Sequence, residues 1–193
     1  MMIKNEKEII KLIEEDEWMM EIIRAAKELH LPDWWICAGF VRSKIWDTLH
    51  GFQERTAIPD VDVIYFDRSN MSELEEKKLE RKLKEQFPNI PWSVKNQARM
   101  HTVNKLPPYL SSVDAISKFP ETATALGVKI DDNEQLILTA PCGIEDVMNL
   151  QLKPTPHFAQ SNDLKAIYEE RIEKKNWKSI WKEIEVHHIS LKA

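Results

Sequence analysis

Between residues 6 and 30, apolar side chains recur every three or four positions: Ile9, Ile10, Leu12 and Ile13, then Met19, Ile22, Ile23, Ala26 and Leu29. An acidic break at residues 14–17 divides them. The spacing predicts one or two amphipathic helices, stopped by Pro32. The bulky apolar run at residues 34–38 predicts a buried strand. Gly39 ends that strand, and a helix over residues 40–49 places Val41, Ile45 and Leu49 on one face. Residues 60–67, DVDVIYFD, carry the strongest strand signal because β-branched and aromatic residues dominate them. Ser72-x-x-Glu75 has the form of a capping box opening a helix to about Gln86.

Farther on, residues 92–95 predict another strand, and Asn96 is placed to cap a helix over residues 97–102. Pro107 and Pro108 break the chain before a short helix near residues 113–119. Residues 127–130 and 135–139 form a predicted hairpin, residues 143–147 begin a short helix, and a last helix starts near Asp163 and runs toward Trp177 and Trp181. The sum is a mixed α/β fold in which a small sheet is flanked by helices. No repeat or linker divides it, so residues 1–193 are expected to form a single domain.

Composition narrows the classes. Of the 193 residues, 42% are hydrophobic and 31% charged, which suits a folded globular chain and not a disordered one. The net charge of −5 provides no basic field for a long nucleic-acid duplex. The basic residues Lys77, Lys78, Arg81, Lys82 and Lys84 alternate with Glu75, Glu76, Glu80 and Glu85, which reads as a solvated helix face. Cys37 and Cys142 suit neither a disulfide framework nor a zinc site and read as small core residues. No run approaches the ~18 apolar residues needed to span a membrane, and the N-terminus lacks the pattern of a signal peptide, so a cytoplasmic location is expected.

The candidate chemistry begins with Asp60-x-Asp62. Strand residues two apart face the same side, so these carboxylates stand together, with Cα atoms about 6.6 Å apart. Paired hard oxygen ligands on a rigid strand seat Mg²⁺ or Mn²⁺ for phosphoryl or nucleotidyl transfer. The competing reading leaves both aspartates on a solvated strand face. Against it, Ile64 and Phe66 continue the same face, and burying them draws two like charges into a site where a cation relieves their repulsion. Upstream, Gly39 allows a phosphate to approach the backbone at a helix N-terminus, and Arg42, one turn later, is a phosphate ligand. Lys95, Asn96 and Arg99 are candidate nucleotide contacts, although a helix cap with exposed polar residues explains them equally well. His101 is a general-base candidate if it reaches the site. Trp34, Trp35 and Trp46 read as core residues, and Trp177 and Trp181 as packing for the last helix.

ICAGFVR followed by DVDVIYFD resembles the head domain of the template-independent nucleotidyltransferases that include tRNA CCA-adding enzymes and bacterial poly(A) polymerases, on the polymerase-β-type fold. The resemblance places that family's glycine-x-x-arginine turn on Gly39 and Arg42 and its metal-binding aspartates on Asp60 and Asp62. A looser likeness runs through ETATALGVKI and GIEDVMNLQLKP, at Glu121, Thr122, Ala125, Gly143, Glu145 and Asp146. The chain is similar, from Trp34 to Trp181, to small bacterial nucleotidyltransferase-like proteins of unassigned substrate, through WWICAGFVR, DVDVIYFD, VKNQARMH, ETATA and the final Lys-x-Trp region.

The resemblance implies metal-dependent transfer of a nucleoside monophosphate from an NTP to an unknown hydroxyl acceptor. The alternative is a catalytically silent nucleotide-binding or protein-interaction module. A glycosyltransferase or a haloacid-dehalogenase-type phosphatase also uses Asp-x-Asp, but the Gly39-x-x-Arg42 turn suits neither. Two departures qualify the likeness. Ser93 occupies the strand position where many relatives carry a third carboxylate, which leaves Asp114 or Glu121 as substitutes. The helical body that grips tRNA in CCA-adding enzymes has no counterpart, so tRNA binding in that mode is not expected.

Overall fold

The computed structural model describes residues 3–189. Its periodic N-terminal segment forms two helices, α1 (Glu6–Glu14) and α2 (Glu17–Lys27), each opened by a side-chain cap. Asn5 accepts a hydrogen bond from the Glu8 amide, and Asp16 accepts one from that of Met19. The run after Pro32 forms a three-residue strand, β1 (Trp35–Cys37), followed directly by α3 (Gly39–Leu49). Next come β2 (Val61–Tyr65), α4 (Glu73–Gln86), β3 (Trp92–Asn96), α5 (Gln97–Val103) and α6 (Ser112–Ile116). The hairpin strands are β4 (Gly127–Ile130) and β5 (Leu136–Thr139). They precede α7 (Glu145–Met148), β6 (Gln151–Leu152), α8 (Asn162–Lys175) and β7 (Glu185–Val186).

Among the described residues, the sheet has the order β3-β2-β1-β4-β5, with β2 and β3 parallel and the other pairs antiparallel. One face bears Ile36, Val61, Val63, Val94, Val128 and Leu136, and packs on apolar residues of α1, α2 and α3. The other bears Trp35, Cys37 and Ile64 and is covered thinly by Ile116 and Ala125. Asp62 lies on this second face, because it pairs in register with Cys37 and with Ser93. No helix among the described residues is long and apolar enough to cross a membrane.

Three local expectations change. Ser72 does precede α4, but its side chain makes no capping bond; Asn70 Oδ1 holds the Ser72 amide, and Glu75 turns to Lys78. The charged face of α4 is not wholly solvated: Glu76 is fully buried and Glu80 nearly so. The cause is β3, an edge strand whose outward N–H groups need acceptors. Glu80 Oε1 accepts from the Val94 amide at 3.3 Å and Glu76 Oε1 from that of Asn96 at 2.9 Å. Third, Cys37 is buried as expected, whereas Cys142 is only half-buried.

The pairing of β6 with β7 had no counterpart in the sequence pattern, because two-residue strands carry no periodicity.

Candidate active site

Asp60 stands just before β2 and is exposed, while Asp62 lies within β2 and is half-buried. Both line one cavity of about 450 Å³, together with Ala38, Gly39, Arg42, Arg171 and Trp177. The fold thus brings the glycine-arginine turn and the aspartate pair to one place. Burial first, and the negative charge of Asp60 second, push the Asp62 carboxyl up to about 6. A hydrogen bond with Ser93 and the charges of Arg171 and Lys175 oppose that rise.

The turn between β1 and α3 is tighter than a glycine signal suggests. The positive φ belongs to Ala38 (φ 57°, ψ −121°), a strained conformation for a residue with a Cβ, while Gly39 is already helical. The Ala38 amide donates to Leu126 O at 3.1 Å, which pins the strained residue, and its carbonyl accepts from the Arg42 amide. A Cβ on Gly39 would lie 3.5 Å from Arg42 Nη2, in ordinary contact, so the packing itself does not demand a glycine there.

Arg42 is only 5% exposed. Among the described residues, its guanidinium makes one hydrogen bond, from Nη2 to Ser43 Oγ at 3.2 Å, and its buried Nε has no partner. Three indole rings surround it, with centroids 5.3 Å (Trp46), 4.6 Å (Trp177) and 5.3 Å (Trp181) from Cζ. Burial lowers its pKa to about 10, chiefly by desolvation and against the pull of Glu121. The group therefore remains charged at neutral pH. A buried cation that has no ion-pair partner among the described residues and opens onto a cavity can take up an anion there.

Sequence reasoning missed the rest of this wall. Arg171 enters from α8, held by Glu121, a fully buried carboxylate that also accepts from Thr124 Oγ1 at 2.7 Å. Lys174 and Lys175 stand exposed at the rim. Asp47 bonds Trp181 Nε1 at 2.8 Å and the Thr56 amide at 2.9 Å, tying α3 to the Trp-rich end and to the loop before Asp60. The ETATA and GIED segments support the site from behind: Thr122 Oγ1 donates to Asp146, which also pairs with Lys153 at 2.7 Å. Gly143 has φ 78°, a left-handed conformation that favours glycine, and the Glu145 carboxylate lies against its Cα.

Other candidates lie elsewhere. Lys95 borders a neighbouring pocket of about 220 Å³ on the far side of Asp62, beside Gln97, Met100 and Phe119. Asn96 is fully buried: it caps α5 through the Ala98 amide and binds the backbone of Asp67 and Asn70. Arg99 forks onto Glu76, with Nε at 3.0 Å and Nη2 at 2.8 Å. The structure does not bring Asn96, Arg99 or His101 into the aspartate cavity; His101 lies against Tyr109.

Neither substitute for a third carboxylate lines that cavity. Asp114 pairs with Lys118, Glu121 serves Arg171, and Ser93 faces Asp62. No group of three or more metal-ligating His, Cys, Asp or Glu residues occurs among the described residues. The donor set for a cation is thus a carboxylate pair, which fits Mg²⁺, an ion commonly bound through one or two carboxylates with water and substrate phosphates completing its shell. A larger cavity, about 870 Å³, lies across α8, but Glu169, Glu170, Glu173 and Glu185 line it and would repel an anionic substrate.

Comparison with known proteins bears on the family and the fold. The sequence matches the profile of a family described as Nucleotidyltransferase over residues 24–186. An NMR structure described as revealing a CCA-adding enzyme head domain superimposes with a TM-score of 0.87 at 39% identity, covering 97% of this chain and 98% of that one. A CCA-adding enzyme in complex with CTP gives a TM-score of 0.59 at 12% identity over 93% of this chain and 43% of its own. The Thermotoga maritima CCA-adding enzyme complexed with tRNA gives 0.58 at 14% identity, over 93% and 42%. The chain therefore spans less than half the length of those two enzymes, and their likeness extends to the fold alone. No curated protein matches it significantly. On its family match and its close likeness to a CCA-adding enzyme head domain, the chain belongs to the nucleotidyltransferase family.

Proposed function

We propose that the protein transfers a nucleoside monophosphate from an NTP to a hydroxyl acceptor, releasing pyrophosphate, with Mg²⁺ or Mn²⁺ held by Asp60 and Asp62. The observation that carries this reading is Arg42, a buried guanidinium with no carboxylate in ion-pair contact among the described residues, which lines the same cavity as the aspartate pair. In a purely structural site such a cation meets an anion from its own chain; here the triphosphate is the missing partner. Gly39 leaves room for the phosphates. Arg42 and Arg171 neutralise charge that grows on the pyrophosphate as the bond from the α-phosphorus to the acceptor oxygen forms and the bond to the leaving oxygen breaks. When bound, the cation supplies Lewis-acid polarisation of the phosphates. A reaction fed by NTPs belongs in the cytoplasm, and an acceptor other than a long duplex accords with the net charge of −5.

One observation favours the silent-module alternative: Ser93, not an acid, faces Asp62 across the parallel pair. Incubation with each α-labelled NTP, Mg²⁺ and a cell extract separates the two. A labelled product that disappears in Asp62→Asn supports transfer, whereas NTP binding without any labelled product supports the module.

A further inference from the structure

Two guanidiniums of the cavity meet over one aromatic ring. Arg42 Cζ stands 4.6 Å from the Trp177 centroid and Arg171 Cζ stands 5.5 Å from it. Trp46 and Trp181 face Arg42, each at 5.3 Å, from other sides. Trp177 is buried and lines the cavity. Asn176, in the left-handed conformation (φ 43°, ψ 45°), ends α8 and turns the chain so that Trp177 lies beside the arginine carried by that helix.

The nature of this contact matters. A carboxylate between the arginines would neutralise them and occupy their N–H groups, whereas a π face attracts a cation and carries no net charge. Glu121 engages Arg171 at Nε, so its terminal nitrogens remain without a partner among the described residues. Arg42 uses one terminal nitrogen on a neutral hydroxyl. Glu121 offsets the charge of Arg171 from behind, and the terminal nitrogens of both arginines stay available to an anion that bridges them. Building on the reading of this cavity as a triphosphate seat, we propose that Trp177 is a positioning residue, holding Arg42 and Arg171 as one two-pronged clamp for adjacent phosphates. Lys174 and Lys175 at the rim extend the same cationic surface toward solvent.

Titration calorimetry with ATP plus Mg²⁺, and separately with inorganic tripolyphosphate, tests this in the full chain. Trp177→Phe keeps a π face and should bind both ligands within about threefold of the wild type, while Trp177→Leu fills the space without that face and should weaken both by about tenfold or more. A merely structural tryptophan predicts equal affinities for the folded Leu and Phe variants, and that result overturns the clamp. Should the Leu variant fail to fold, fluorescence decides. Trp177→Phe should then lose at least half of the emission change that tripolyphosphate causes in the wild type, and an undiminished change counts against the proposal. If the wild type binds neither ligand, the nucleotide reading falls, and the clamp falls with it. Normal wild-type binding with indifferent Trp177 variants overturns the clamp alone.

Discussion

Glu76 beneath the β3 edge and Arg42 in the aspartate cavity are both almost wholly buried, at 0% and 5% exposure, yet they are treated differently. Glu76 meets the fork of Arg99, lies 3.7 Å from Lys95 and accepts the Asn96 amide. Arg42 meets three indoles and a hydroxyl, and keeps an unpaired Nε. The first arrangement is closed, with every charge answered from within the chain. The second is open, and its unanswered charge lies beside two carboxylates that repel each other. The contrast teaches what to look for: a buried charge completed from within the chain serves the fold, and one left incomplete beside a cavity is the candidate for a ligand.

The most severe break of the open region is Asp60→Asn with Asp62→Asn. Transfer should fall by about three orders of magnitude or more, since the cation that stabilises the departing charge loses its seat. In thermal melts, Mg²⁺ or Mn²⁺ should raise the wild-type Tm, and NTP should raise it further, while the double variant shows no metal-dependent rise. A wild type that ignores metal, or a double variant that still responds, would make the aspartates solvated strand residues.

The closed region should fail differently. Glu76→Ala leaves Arg99 unpaired and the Asn96 amide without its acceptor, at a cost of about 3–5 kcal/mol. For a domain of this size the fall in Tm is roughly 10 °C. The folded fraction should still bind NTP with near wild-type affinity. Loss of binding beyond the unfolded fraction would place Glu76 in the site.

Arg42→Ala sharpens the contrast from the other side. NTP affinity should drop at least about tenfold, since charge-assisted contacts contribute about 1.5–3 kcal/mol each. Stability should suffer less than in Glu76→Ala, because Arg42 leaves behind no buried carboxylate partner. Unchanged affinity in a folded variant would return Arg42 to a structural role.

The mildest effect concerns pH. Asp62 ionises near 6 in the folded, metal-free protein, against an ordinary value of 3.8. Between those values the folded state holds the extra proton, so this group's contribution favours folding below about pH 4 and is lost as pH rises through about 6. Metal competes with that proton, and the Mg²⁺-induced rise in Tm should therefore grow from pH 5 to pH 7. Subtracting the pH profile of Asp62→Asn from that of the wild type isolates the effect; a flat difference would mean that Asp62 ionises as a solvated carboxylate does.

The pieces of the site legible from sequence were those encoded within a few residues. The strand, glycine turn and helix carrying Gly39 and Arg42, and the strand carrying Asp62, are each local patterns. The strain at Ala38 was invisible because the neighbouring glycine attracts the turn signal. Arg171, Lys174 and Lys175 were unreadable for another reason: on their own helix they look like solvated charges, and only docking of α8 makes them a wall. The same holds in reverse for Glu76 and Glu80, whose burial depends on β3 being an edge strand. A residue's type and spacing indicate its face on an element, but the partner of that face is set by tertiary topology.

The bond from Trp181 to Asp47 spans 134 residues, and that of Arg171 to Glu121 spans 50. In terms of time, the sheet and the N-terminal helices can order before these bonds exist, but the cavity cannot. Closing such long loops is slow relative to forming local helices and hairpins. During synthesis, which runs from the N-terminus, Asp60, Asp62 and Arg42 emerge well before the helix that completes their surroundings. The aspartates and the arginine thus precede the α8 wall of their cavity, and the proposed triphosphate seat is complete only once residues 171–181 have docked.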